Sequence, residues 1–393
     1  MSEQQVRSRQ SRETRFASVD DVIDRLNPSY PVFCVFPDIL RERARTFVEG
    51  FPGTVLYAVK CNPHHYVLRA LSEGGIDHFD TASIFEIARV TEQFPDAHCY
   101  FNHPVKGRGA LDSAVDVYGL KDFVVDDMHE LDKVIQYAGT DVTIEVRLST
   151  PKGRAVYNLS AKFGAPPDDG VALLKEANRR GCRTALAFHV GSQCLDPDAF
   201  RIAMELAMDV AGKAGVPLEY LDVGGGFPAR YKMDVPPLQD YFDVVRETKD
   251  RLGITVPLMG EPGRALVANG CSVLTQVHLR KGNDLYINDG IYGCLSEIRD
   301  GDLDPPVRAI RRKKGGGGEP LADHLQPFRI FGPTCDSLDV LKLPFHLPDN
   351  IQEGDWIEFG LMGAYSIGMQ TGFNGFVTDT IVRIDGTHSD FEF

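Results

Sequence analysis

Tyr57-Ala58-Val59-Lys60-Cys61-Asn62-Pro63 is an apolar run that delivers one lysine to its far end and then stops. Residues 54–59 are rich in β-formers, and Asn62-Pro63 breaks the strand just beyond the lysine. Lys60 is therefore expected on the rim of a buried strand. An unpaired ammonium is costly to bury and responds by losing proton affinity, and a lysine depressed in this way is a nucleophile for carbonyl carbon. Taken alone, the same residues also describe a strand-end lysine whose stem lies on apolar surface and whose head reaches solvent. The rest of the chain decides between the two.

From this run onward, strand and helix alternate. A helix is expected near 66–72, a strand ending at Asp80, and a helix over 83–93; strands follow at 98–102, 123–126, 143–148, 185–190, 220–223 and 255–260, most with helical spacing between them. Eight βα units over about two hundred residues define a closed parallel (β/α)8 TIM barrel rather than an open sheet. Barrels of this kind carry their chemistry at the carboxyl ends of the strands. Those ends hold Lys60, Asp80, Arg147, His189 with Ser192, Gly224-Gly225-Gly226, and Glu261 with Arg264. A core histidine, a surface ion pair or a turn glycine explains any one of them; their joint placement at successive strand ends calls for a site.

The set fits a phosphorylated pyridine aldehyde. Backbone N–H groups of the glycine turn can approach phosphate oxygens because glycine has no Cβ and tolerates positive φ. Glu261-Pro262-Gly263-Arg264 adds a second close-approach glycine and a guanidinium suited to a dianion. A carboxylate that keeps a pyridine nitrogen protonated turns the ring into an electron sink, and His189 is placed to lie against its face.

After Asn269 the pattern changes to short strands, at 271–278, 284–288, 328–331, 356–359 and 375–384, so a second, mostly β domain of Greek-key-like barrel type is expected. The strand at 31–36 joins it, which leaves the barrel at 38–270 inserted between 16–37 and 271–393. A short helix is expected over 18–26 and another over 38–48, whereas residues 1–15 lack apolar periodicity and are expected to form a disordered tail. Arg311-Arg312-Lys313-Lys314 followed by four glycines is expected to be a flexible surface loop. Three segments of the β domain carry chemistry that packing does not need: Gly332-Pro333-Thr334-Cys335-Asp336, Gly363-Ala364-Tyr365 and Phe373-Asn374-Gly375-Phe376. The Cys335 thiol is a candidate proton donor, or one of the small buried thiols common in cores.

The 393 residues are 43% hydrophobic and carry a formal charge of −14, which argues against nucleic acid or an anionic membrane as partner and suits a cationic small molecule or plain solubility. The eight cysteines show neither CxxC pairs nor metal-ligand spacing, so no metal is expected and reduced thiols point to the cytoplasm. No apolar run approaches the length of a membrane span.

In order along the chain, Tyr57-Ala58-Val59-Lys60-Cys61-Asn62, His189-Val190-Gly191-Ser192, Asp222-Val223-Gly224-Gly225-Gly226-Phe227-Pro228, Glu261-Pro262-Gly263-Arg264, Gly332-Pro333-Thr334-Cys335-Asp336 and Gly363-Ala364-Tyr365 resemble the successive motifs of the ornithine decarboxylase family. These are pyridoxal-phosphate decarboxylases built on an alanine-racemase-like barrel. The resemblance implies that Lys60 holds the cofactor through a Schiff base, Glu261 faces the pyridine nitrogen and His189 stacks on the ring. Ser192, Gly224, Gly225, Gly226, Gly263, Arg264 and Tyr365 would serve the phosphate, with Asp80 and Arg147 around the ring. Cys335 would protonate the substrate carbon after carbon dioxide leaves, Asp336 would bind the distal amine, and Phe373 would wall the pocket.

The resemblance also implies a homodimer whose sites draw on both subunits, Cys335 and Asp336 coming from the partner, and Lys162 and Asp339 matching a pair that bridges subunits. In the family's eukaryotic members a further aspartate follows the tyrosine of a segment like Asn288-Asp289-Gly290-Ile291-Tyr292-Gly293 by nine residues. Here that count lands on Gly301, with Asp300 beside it and Glu297 a turn away. Ornithine to putrescine is the implied reaction, with lysine to cadaverine beside it. The alternatives are a carboxynorspermidine or diaminopimelate decarboxylase, an arginine-preferring relative, or a non-catalytic protein like the antizyme inhibitors. The aspartate after the cysteine disfavours diaminopimelate, and retention of Lys60 and Cys335 disfavours a dead relative.

Overall fold

The computed structural model describes residues 15–150, 155–157, 162–300, 303–312 and 319–385. Eight parallel strands close into a barrel in chain order. They are β1 Thr54–Ala58, β2 His78–Thr81, β3 His98–Phe101, β4 Asp122–Val125, β5 Thr143–Leu148, β6 Arg183–Phe188, β7 Leu221–Asp222 and β8 Leu258–Gly260. The ring closes where Met259 and Gly260 of β8 face Thr54 and Val55 of β1. Each strand overlaps a stretch where the alternation predicts one, β2, β4 and β6 being offset by one or two residues, so the TIM barrel reading holds. The helix Ile84–Gln93 shows how local chemistry sets an element's start: Ser83 Oγ accepts from the Glu86 N–H at 3.3 Å, and Glu86 Oε2 accepts from the Ala82 N–H at 2.7 Å.

Two compact units divide the chain. One comprises Arg41–Ala229 and Asp234–Leu266, the barrel; the other takes the residues up to Leu40, Arg230–Met233 and everything from Val267. Within the barrel unit an aromatic cluster fixes the segment after the three glycines: the Phe227 ring centroid lies 4.9 Å from Phe200 and 5.5 Å from Phe47, and Phe47 is 5.3 Å from Phe242. The Phe227–Phe200 pair is stacked and the other two are edge-to-face, arrangements that add about 0.5–1.5 kcal/mol per pair beyond buried area.

The second unit is built on a nine-stranded sheet. Val32–Val35 pairs antiparallel with Cys271–Lys281 and parallel with Thr380–Ile384, so segments on either side of the barrel sequence meet in one sheet. Val32, Cys34, Phe36, Leu274, Trp356, Val382 and Ile384 form its buried core, and the Trp356 indole donates to the Pro28 carbonyl at 2.9 Å. Ser18 caps the helix Val19–Leu26.

Two expectations need correction here. Residues 1–14 of the expected tail lie outside the described residues, but Arg15 is not tail: Arg15–Phe16 pairs with Arg383 and Ile384, because a sheet edge gives its backbone partners that the polar sequence does not advertise. Nor is the whole basic stretch a loose loop. Arg311 is held by the Asp355 carboxylate at 2.7 Å and by the Asn350 carbonyl at 2.7 Å, with both charged side chains nearly fully buried, and Arg312 pairs with Asp20. Residues 313–318 lie outside the described residues.

Candidate active site

β1 runs directly into a 3₁₀ turn, Val59–Cys61, which carries Lys60 off the strand's carboxyl end. The Tyr57 hydroxyl donates to the Asn62 carbonyl at 3.0 Å and buttresses this turn. Lys60 is not the unpaired ammonium that its sequence suggests. Its Nζ meets Asp80 Oδ2 at 2.5 Å, with the lysine side chain 41% exposed and the aspartate 2%. Asp80, at the end of β2, thus holds the lysine head in place by charge.

Glu261 follows β8 and accepts from Asn102 Nδ2 at 2.5 Å. Burial and the neighbouring Asp80 raise its pKa to about 7, against the pull of Lys60, Asn102 and Arg147. His189 follows β6; its Nδ1 accepts from the Gly191 N–H at 2.9 Å, which assigns the ring proton to Nε2. Burial, with Arg147 and Lys60 nearby, pushes its pKa well below the ordinary value, so it is a neutral ring at neutral pH. Arg147, on β5, lies 5.8 Å from the Phe163 ring, and Ser192 opens the short strand Ser192–Cys194.

The glycines after β7 are required by contact. Asp222 Oδ1 accepts from the Gly224 N–H at 2.6 Å, and the Gly224 carbonyl accepts from the Glu261 N–H at 2.8 Å. A Cβ on Gly225 would sit 2.5 Å from the Glu261 carbonyl oxygen and 3.1 Å from His189 Nε2; one on Gly226, where φ is +109°, would meet the Gly191 carbonyl oxygen at 2.5 Å. Gly263 lies against Cys61, and Arg264, buried, opens the next helical turn. The strand ends therefore bring together a lysine, a neutral imidazole, a buried carboxyl and a glycine turn that admits no side chain. These fit pyridoxal phosphate: the lysine for its aldehyde, Glu261 for its pyridine nitrogen, the bare backbone for its phosphate.

The second unit presents a different constellation. Cys335 is exposed, and its N–H donates to Asn374 Oδ1 at 3.0 Å. Asp336 accepts from the Tyr292 hydroxyl and, at 3.0 Å, from the Leu338 N–H, and those bonds hold its carboxyl below the usual range. The Phe373 and Tyr292 rings lie 5.0 Å apart. Asp339, 3% exposed, ties the turn down by accepting from the N–H groups of Ile291 at 2.9 Å and Thr334 at 3.0 Å. Tyr365 is half-buried with φ +50°, two residues after Gly363, where a Cβ would strike the Val267 carbonyl. Asp300 ends the helix Ser296–Asp300; its side chain and Gly301 lie outside the described residues, while Glu297 is buried. Lys162 is exposed and lies over the Phe163 ring.

Sequence reasoning missed Asn102, although it stands at a strand end like the residues that were singled out. It also missed Tyr292 as the partner of Asp336, and no spacing announces that pair.

A lysine-bearing barrel with this glycine turn defines an enzyme of pyridoxal-phosphate chemistry. Residues 38–268 match the family model described as the pyridoxal binding domain of pyridoxal-dependent decarboxylases. The chain is 34% identical over 343 residues to the lysine/ornithine decarboxylase of Selenomonas ruminantium, covering 84% of each. It is 33% identical over 347 residues to the ornithine decarboxylase of Schizosaccharomyces pombe, covering 84% of this chain and 77% of that one. Among solved structures, the lysine/ornithine decarboxylase of Vibrio vulnificus complexed with putrescine superposes with a TM-score of 0.80 at 30% identity, covering 94% of this chain and 99% of the other. The chain belongs to the pyridoxal-dependent decarboxylase family, and its cofactor is pyridoxal 5'-phosphate.

Proposed function

We propose that this enzyme decarboxylates a small cationic amino acid, L-ornithine to putrescine first and lysine to cadaverine second. The observation that carries the reading is the Cys335-Asp336 turn, where an exposed thiol stands beside a carboxylate kept anionic by Tyr292. An anion at that place suits a distal ammonium and repels a distal carboxylate. Relatives named for both ornithine and lysine support it.

When bound, the cofactor supplies an electron sink for the bond to the departing carboxylate. Lys60 binds it, Glu261 pairs with its ring nitrogen, and His189 and Arg147 line the ring. The glycine turn, Ser192, Gly263, Arg264 and Tyr365 hold the phosphate. Cys335 Sγ keeps the proton that replaces carbon dioxide on the α-carbon, and Asp336 with Phe373 and Asp300 or Glu297 sets substrate length. Carbon dioxide release from ornithine, lysine, arginine and diaminopimelate tests this. Ornithine and lysine differ by one methylene, worth about 1–3 kcal/mol of discrimination, so ornithine is expected to lead and lysine to be turned over measurably. Equal or better use of arginine or diaminopimelate overturns the assignment.

The working form proposed is a homodimer with shared sites, in the cytoplasm, where its eight free thiols stay reduced. Inactive Lys60→Ala and Cys335→Ala homodimers, mixed and allowed to exchange, then give hybrids with one doubly damaged and one intact site, and roughly a quarter of wild-type activity returns. A mixture that exchanges subunits and stays inactive rejects sharing.

A further inference from the structure

A residue with a side chain seldom adopts positive φ, because its Cβ then crowds the backbone, and where one does its surroundings must hold it there. Among the described residues of the barrel unit, Gln193 is the only non-glycine residue to do so, at φ +55°. It directly follows Ser192 in the strand Ser192–Cys194 and is 0% exposed. Glycine takes such a backbone at the least cost, so a buried glutamine at this position points to a task for its amide.

Both ends of that amide are engaged by one residue. Gln193 Nε2 donates to the Ala229 carbonyl at 2.7 Å, and the Ala229 N–H donates back to Gln193 Oε1 at 3.0 Å. One planar side chain thus reproduces the paired bonding of two strands, between residues 36 positions apart in the chain. Ala229 closes the segment that begins with the three glycines and continues through Phe227, whose ring is packed into the aromatic cluster. The same two stretches meet again beside the clamp. The Cys194 N–H donates to the Gly226 carbonyl at 2.9 Å, and a Cβ on Gly226 would strike the Gly191 carbonyl oxygen at 2.5 Å. The Tyr241 hydroxyl, from the helix Leu238–Leu252, donates to the Cys194 carbonyl at 2.7 Å and anchors the far end of the short strand.

We propose that Gln193 is a positioning residue for the cofactor phosphate: its amide clamps the strand that carries Ser192 to the segment that carries the glycine turn, and so sets the gap between the two walls that face the phosphate. The proposal rests on the phosphate role given above to Ser192 and the glycine turn, and adds the side chain that holds them in register. Without the clamp the two walls must be ordered by the ligand as it binds, which lowers affinity. The loss falls on the phosphate, because neither Lys60 nor Glu261 is bonded to Gln193 or Ala229 by the contacts that make the clamp.

Apoprotein of the full chain, titrated with pyridoxal phosphate and separately with pyridoxal, tests this. Gln193→Gly removes the amide and leaves a backbone that glycine adopts freely. Its dissociation constant for pyridoxal phosphate is expected to rise roughly tenfold, the equivalent of about one hydrogen bond, while that for pyridoxal stays within about twofold of wild type. Thr184→Val is the control: it removes a buried bond to the Pro217 carbonyl, 2.5 Å long, at the amino end of β6, and is expected to lower stability while leaving both constants unchanged. Equal weakening of both ligands in Gln193→Gly means that the glutamine supports the barrel at large, and weakening of neither means that it only fills space; either result overturns the proposal. If Gln193→Gly does not fold, Gln193→Asn, which tolerates positive φ but is one methylene too short to reach Ala229, carries the same expectations.

Ser192→Ala separates the clamp from the reading beneath it. If that variant loses affinity for pyridoxal phosphate and Gln193→Gly does not, the phosphate assignment stands and the clamp falls; if neither does, both fall. A readout independent of affinity is the phosphorus-31 resonance of the bound cofactor at saturation. It is expected to shift in Gln193→Gly and to keep its wild-type position in Thr184→Val, and an unshifted resonance in Gln193→Gly overturns the proposal.

Discussion

The two units place their chemical groups by opposite means. In the barrel, Lys60, Asp80, Asn102, His189, Gly225 and Glu261 all stand at or just past strand ends, and closure of the sheet brings them together. All but Lys60, whose head is exposed, are buried or half-buried, and their charges act on one another: Glu261 titrates near 7, and His189 stays neutral. In the β unit, Cys335 and Asp336 sit in an exposed turn fixed by side chains bonding to backbone, with Asp339 and Asn374 as the ties. Burial tunes the first set, and hydrogen bonds aim the second. Damage to the barrel set is therefore expected to alter protonation and cofactor retention, and damage to the turn to alter rate or substrate affinity alone.

Lys60→Ala gives the largest effect, with cofactor absorbance and essentially all turnover lost. Retention of most turnover without added amines breaks the barrel side of the comparison. Cys335→Ala comes next. Loss of a positioned proton donor slows turnover by about 10²–10⁴-fold while cofactor absorbance stays, and the misdirected proton yields an aldehyde and pyridoxamine phosphate. Normal product at the normal rate makes the thiol structural.

Stability against pH sharpens the barrel side. The Glu261 pKa is raised from 4.5 to about 7 in the folded protein, so its contribution is fully present below 4.5 and is lost as pH rises through about 7, where the unfolded chain has already released the proton. Cofactor-free protein is expected to lose up to about 3 kcal/mol from this group across that window, and Glu261→Gln to remove that share while raised carboxyls such as Asp222 and Asp289 keep theirs. A denaturation midpoint in wild type that rises over the same range refutes the assignment. The smallest effect belongs to the turn: Tyr292→Phe removes the donor to Asp336 and should raise the KM for ornithine while kcat and cofactor absorbance hold. A change in the absorbance spectrum instead would show that the two sets are not separable.

How much of this was legible in the chain follows from the range of the forces involved. The run from Thr54 to Lys60 announces a strand and its end because β-propensity and the Asn62-Pro63 break act locally. The same holds for the other barrel strands and for the helices expected over 18–26 and 83–93, whose starts the structure shows capped by Ser18 and Ser83. The glycine turn was legible because glycine takes positive φ, here +69° at Gly224 and +109° at Gly226, at the least cost of any residue. Arg15 and Arg311 were misread because their partners, Arg383 and Asp355, lie far along the sequence.

The sequence by itself determined the barrel, the order of its strands and the residues at their carboxyl ends, because period-two burial and turn chemistry are written over a few residues. Only the tertiary structure decided that Lys60 is paired with Asp80, that Asn102 reaches Glu261, and that Glu145 and Tyr220 meet inside the barrel. Those contacts depend on the register at which eight strands close, and register is a property of the whole ring.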